Sequence, residues 1–107
     1  MRKIESQMNQ AIRQRRNWSN ANTSVVVDDN NNAEVYLHGN HIATIGDEIL
    51  LFDGGWQSNT TKSRLNAICY EFAYGCGVFQ KQFEWFVNTN NGTVDFVNGI
   101  AVAWVAN

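Results

Sequence analysis

A chain of 107 residues has room for one domain with one real core, and at this length folding hides roughly two-thirds of the unfolded surface. Apolar residues make up 44% and charged residues 17%, which excludes a disordered chain. Two cysteines exclude a disulfide framework, and no Cys/His ligand spacing points to structural zinc. No apolar stretch follows the basic N-terminus, as it would in a secretory signal, and the longest apolar run, Ile100 to Ala106, is far short of a membrane span. The expectation is a single soluble domain over residues 1–107, without membrane contact, metal or cofactor.

There is no proline, and there are fifteen asparagines, residues that suit turns and caps because they tolerate left-handed backbone. Charge is segregated. Residues 1–18 carry Arg2, Lys3, Arg13, Arg15 and Arg16 against Glu5; residues 19–58 carry only the acids Asp28, Asp29, Glu34, Asp47, Glu48 and Asp53. Residues 59–107 balance Lys62, Arg64 and Lys81 against Glu71, Glu84 and Asp95. A basic helix and an acidic sheet segment are expected to complement each other, within one chain or between subunits.

In chain order, residues 2–17 read as a helix with Ile4, Met8, Ala11 and Ile12 as its apolar stripe and Arg2, Asn9, Arg13 and Arg16 on a separate polar face. Arg15 projects near the stripe and marks either a fraying end or a paired, buried arginine. Asn17 to Asn22 closes the segment as turn residues. Four short strands follow: 23–28, 34–38, 41–45 and 48–52. Gly39-Asn40 and Gly46-Asp47 are expected as two-residue hairpin turns between them. A second helix is expected to start with an N-cap at Asn59 or Thr60 and to stop before Gly75. Its core face is Thr61, Leu65, Ile68, Cys69 and Phe72, with Tyr70 and Tyr74 left outward. The last third reads as strands 79–87, 93–97 and 100–106, with Phe83, Trp85 and Val87 on one face and Asn98-Gly99 as a hairpin turn. The fold class is therefore α+β: about seven short antiparallel strands, in the order α-β-β-β-β-α-β-β-β, with two helices packed on the sheet.

The most pointed stretch for chemistry is Gly54 to Asn66. Glycines, an aromatic, a hydroxyl cluster and two cations meet a helix N-terminus, whose free N–H groups favour an anion. Trp56, Thr60, Thr61, Lys62, Ser63 and Arg64 are the candidate anion or phosphate site. Alternatively, Lys62 and Arg64 pair with an acid of the chain such as Asp53 or Glu71. The double variant Lys62→Ala/Arg64→Ala separates these: lost binding at unchanged melting temperature marks a ligand site, lost stability marks structure. His38 and His41 are expected opposite each other across their turn, too few for a zinc site. Cys69 is expected as a buried hydrophobe, and Cys76 has no base beside it, so no catalytic residue is assigned. Trp85, Phe86, Phe96 and Trp104 are expected on adjacent strands, with Phe86 opposed to Trp85. A strand apolar on both sides suggests a subunit interface and a homo-oligomer.

Several blocks of the chain resemble a family of small tailed-bacteriophage proteins, of marine, T7-like and T4-like phages. They are Met1 to Arg13, Asn17-Trp18, Asn22-Thr23, Leu37 to Ala43, Gly55-Trp56, Asn59 to Ala67 and Phe96 to Gly99. The resemblance implies a phage origin and, since that family has no assigned function, carries over no site residues. The expected function is a non-enzymatic phage accessory protein in the cytoplasm of the infected host that binds a host protein or a phosphate-bearing ligand. The alternatives are nucleic-acid binding through Arg2, Arg13 and Arg16, expected to be steeply salt-dependent, and a virion or assembly component.

Overall fold

The computed structural model describes residues 1–104; Val105 and Ala106, read from the sequence as the end of the last strand, lie outside the described residues, as does the Trp104 side chain. The first helix, α1 (Lys3–Gln14), is shorter than its pattern because Arg15 turns left-handed at φ 50° and its N–H closes on Ile12. Met8, Ala11 and Ile12 of the stripe are fully buried, as is Glu5. Asn9, expected on the polar face, is buried too, because the second helix packs over it and its Nδ2 donates to the Ala67 carbonyl (3.0 Å). Arg15 is thus a cap, with its Nε donating to the Asn31 carbonyl (3.0 Å).

Five strands follow: β1 (Trp18–Asn20), β2 (Thr23–Val27), β3 (Ala33–Leu37), β4 (Asn40–Ile45) and β5 (Glu48–Leu51). The segment expected as turn residues after α1 is itself β1, antiparallel to β2, and the turn moves to Ala21-Asn22, where Ala21 has φ 51°. The β3–β4 turn is His38-Gly39 rather than Gly39-Asn40. Leu37 faces Asn40 in register, and His38 (φ 53°) and Gly39 (φ 78°) both take the left-handed backbone that a two-residue hairpin requires. One face of these strands (Val25, Val35, Leu37, Ile42, Ile45, Ile49, Leu51) is the core. Each such side chain contributes about 1.5–3 kcal/mol by leaving water.

The second helix, α2 (Asn59–Phe72), packs against α1 and the sheet through Thr61, Leu65, Ala67, Ile68 and Cys69, while Tyr70 and Tyr74 remain exposed as expected. Its N-cap is Ser58, whose Oγ accepts from the Thr61 N–H (3.1 Å), one residue earlier than the sequence suggested. Burial raises the Cys69 thiol pKa to about 12, with a smaller push from Cys76, so Cys69 is a core residue.

The chain then forms β6 (Gly77–Lys81), β7 (Glu84–Thr89), β8 (Gly92–Asp95) and β9 (Ile100–Trp104). The described residues therefore hold nine strands, not seven, in two antiparallel sheets: β1-β2-β3-β4-β5-β9 and β6-β7-β8. The split of the run 79–87 and the route of β9 have physical causes. The run 79–87 alternates like one strand, yet it breaks at Gln82 (φ 52°) and Phe83 (φ 68°), which form a hairpin turn between Lys81 and Glu84. Phe83 thereby leaves the face of Trp85 and Val87 for solvent. Asn98-Gly99 does form a turn, with Ile100 donating back to the Val97 carbonyl (3.1 Å) and Gly99 at φ 86°, but it is not a hairpin. The Gly99 N–H donates to the Leu51 carbonyl (2.8 Å), and β9 pairs with β5 on the larger sheet. Trp104 therefore does not neighbour Trp85 within one sheet. Trp85 is buried edge-on against Phe96 (5.4 Å between ring centroids), while Phe86 stacks on Phe79 (5.6 Å) on the half-buried outer side. No helix of the described residues is long and apolar enough to cross a membrane.

Candidate functional site

The start of α2 is built by a folded loop. Gly54 (φ 70°) and Gly55 (φ 85°) turn the chain, and Asp53 holds the turn by accepting from the Gly55 N–H (2.7 Å). The Asp53 N–H donates to Asn98 Oδ1 (2.8 Å), tying this loop to the crossover turn. Thr61 Oγ1 lies against Ser58 Oγ (2.9 Å) and the Trp56 carbonyl (3.3 Å), so its hydroxyl is spent inside the loop.

From this start the expected anion site comes apart. Arg64 is 3% exposed and points away from the helix end. Its NH1 pairs with Glu5 (2.8 Å), its Nε donates to Thr23 Oγ1 (3.0 Å) and its NH2 to Asn22 Oδ1 (3.3 Å). Ser63 Oγ donates to the same Glu5 oxygen (2.5 Å), and Glu5 also accepts from the Arg2 N–H (3.2 Å). Lys62 leaves in another direction, toward Gln80 (3.3 Å) and the Trp85 ring (5.9 Å). Thr60 is half-buried and Trp56 exposed. The helix therefore brings Ser63 and Arg64 together on Glu5 and sends Lys62 elsewhere.

Arg64 has an internal acid, but it is neither Asp53 nor Glu71. Glu71 pairs with Arg13, whose guanidinium also lies over the Phe72 ring (5.7 Å). Burial alone pushes the Glu5 carboxyl up. The hydrogen bonds from Ser63, the Arg2 N–H and Arg64, together with the Arg64 charge, outweigh it and hold the pKa below the ordinary 4.5. This node joins α1, α2 and β2. Glu5 was the residue missed by the sequence reading, yet its signal was present. At 100° per residue it projects about 20° from Ile12, at the edge of the apolar stripe, and an acid in a core stripe demands a cation.

Charge complementation is likewise different from expectation. Among the described residues, no ion pair joins the cations of residues 1–18 to the acids of residues 19–58; the closest link is Arg15 to the Asn31 carbonyl. Arg2 and Arg16 are exposed beyond opposite ends of α1, whose twelve residues span about 18 Å. Arg13, between them, is neutralised by Glu71. His41 faces Tyr36 rather than His38 and bonds Glu34 (2.7 Å) and Thr44 (2.9 Å), and no group of three metal ligands is found among the described residues.

What does collect at the start of α2 is an apolar cleft of about 310 Å³. Leu37 and Ile42 form its floor, Trp56 one wall, and Asn40, Asp53 and Thr61 its polar rim. Trp56 is 74% exposed, and the next residue, Gln57, borders a second depression with Phe83, which is 93% exposed at its hairpin tip. Two large aromatics thus stand in water on neighbouring depressions.

The sequence profile described as Kyanoviridae Gp96 protein matches residues 1–103. The chain matches no curated protein and no solved structure.

Proposed function

The chain belongs to the Kyanoviridae Gp96 family of phage proteins, and from that premise we propose that it acts inside the infected cell by binding another protein, not by catalysis. The observation that carries this reading is the edge formed by Trp56 and Phe83, beside an apolar cleft, at exposures of 74% and 93%. Aromatics of this size are enriched at protein interfaces and are rarely left together in water. The cations that a phosphate would need do not converge: Arg64 is buried on Glu5, and Lys62 lies over Trp85. A phosphate-bearing ligand is therefore the weaker form of the binding reading. Nucleic-acid binding through Arg2, Arg13 and Arg16 loses its central member to Glu71.

The test is a photo-crosslinking residue placed at Trp56 or Phe83 in protein expressed during phage infection, with exposed Gln10 of α1 as the control position. Protein adducts at the first two positions and none at the third support the reading. Equal labelling at all three, or none, overturns it.

A further inference from the structure

The geometry points to a second copy of this chain as the occupant of the aromatic edge, with Phe83 of each copy seated in the Trp56 cleft of the other. This rests on the binding reading above and names its partner. The first observation is conformational. Gln82 and Phe83 both hold left-handed backbone in a two-residue turn that Asn-Gly would adopt without strain. An aromatic kept in that state, with its ring in solvent, contributes nothing to its own core. Strain of this kind persists where it serves a contact.

The second observation is fit. The cleft of about 310 Å³ has an apolar floor in Leu37 and Ile42, and a cavity of roughly half that volume already accepts a benzene ring. The third is position. Trp56 lines the cleft, and its chain neighbour Gln57 lines a second depression together with Phe83, so knob and cleft belong to neighbouring parts of the surface. A two-fold axis between them makes the exchange reciprocal and closes the assembly at two subunits.

The fourth is charge. Lys81 stands at the base of the Phe83 hairpin, and Asp53 on the rim of the cleft. Neither has an ion pair within 4 Å among the described residues. Insertion of Phe83 brings Lys81 of one copy toward Asp53 of the other. Four aromatics at about 150–250 Å² each bury about 600–1,000 Å², below the roughly 1,200 Å² at which stable interfaces begin, so the contact is a weak one. Dimerisation is therefore expected to depend on concentration.

Sedimentation equilibrium of the full chain from about 1 µM to about 1 mM tests this. The expected result is a monomer–dimer equilibrium that Phe83→Gly and Trp56→Ala each weaken at least tenfold. Phe83→Gly relieves the turn and so melts no lower than the parent, which separates a lost contact from a lost fold. Lys81→Asp and Asp53→Lys are each expected to weaken the dimer, and the double exchange to recover it. A monomer at the highest concentration, or a dimer indifferent to Phe83→Gly, overturns the second copy as occupant. If crosslinking at Trp56 then still captures a different protein, the binding reading stands without it; if it captures none, both fall.

Discussion

The buried node around Glu5 and Arg64 and the exposed edge around Trp56 and Phe83 each take one member from the chain around the start of α2, Arg64 and Trp56, yet they solve opposite problems. In the node every charge has a partner: Arg64 engages Glu5, Thr23 and Asn22, and Glu5 takes Ser63 and the Arg2 N–H. At the edge two aromatic rings have nothing to pack on inside the chain. A buried charge without a partner is expensive, so the node belongs to folding. An exposed aromatic costs its own fold little, so the edge is free to serve a contact. Cations at a helix N-terminus are therefore poor evidence for a ligand until their directions are known.

Breaking the node carries the largest expected effect. Arg64→Ala leaves the Glu5 carboxylate buried without its cation and is expected to cost about 3–5 kcal/mol. In a domain of this size that is a fall of about 15–30 °C in Tm, measured by calorimetry or circular dichroism. Lys62→Ala/Arg64→Ala, the variant expected to leave stability unchanged if the pair bound a phosphate, is expected to fall by nearly the same amount. The paired replacement Glu5→Leu/Arg64→Leu is expected to recover much of the loss, because two apolar side chains need no counter-charge.

The pH dependence sharpens the same contrast. The folded-state pKa of Glu5 lies below its ordinary value of 4.5, so the unfolded chain takes up a proton first as pH falls. The stabilisation from this carboxylate is fully present above about pH 5 and is lost as pH drops through the folded value. Acid unfolding is expected to be steeper in the parent than in Glu5→Gln, whose lower stability has no such carboxylate to titrate. Equal slopes between pH 5 and pH 3 would remove the node from the account.

The two regions also differ in how far the sequence announced them. The α+β class, the helix faces and most strands followed from period alone, because Met8, Ile12, Leu65 and Ile68 recur at helical spacing and Val25, Val35 and Ile45 alternate. The outward Tyr70 and Tyr74 were legible for the same reason. The Glu5–Arg64 pair was half legible: each residue sits on a core stripe, but 59 positions separate them and only the packing of α1 on α2 joins them. The edge was not legible. Gln82-Phe83 carries none of the residues that favour left-handed turns, so alternation ran through it unbroken. The route of β9 to β5 was hidden too, because an Asn-Gly turn looks the same whether it joins neighbours or crosses between sheets.

At the edge the expected changes in stability are small and of opposite sign. Phe83→Gly is expected to raise stability by about 1 kcal/mol, since glycine takes the left-handed backbone without strain. Trp56→Ala is expected to stay within about 0.5 kcal/mol of the parent, as for other exposed positions. Urea unfolding of both variants at fixed low protein concentration measures this without interference from association.

A similarly small effect is expected at Lys62, two residues from Arg64 in the same helix. Its ammonium lies 5.9 Å from the Trp85 ring and 3.3 Å from Gln80, both contacts at the protein surface. A cation over an aromatic face at such a site contributes about 0.5–1 kcal/mol. Lys62→Ala is thus expected to lower Tm by a few degrees at most, and Lys62→Met to recover part of that through its apolar stem. The comparison with Arg64→Ala is decisive because charge and helix are shared and only burial differs. A loss at Lys62 as large as that at Arg64 would mean that the small sheet, which Lys62 touches through Gln80 and Trp85, is held to α2 by this lysine and not by Val78 and Val87 in the core.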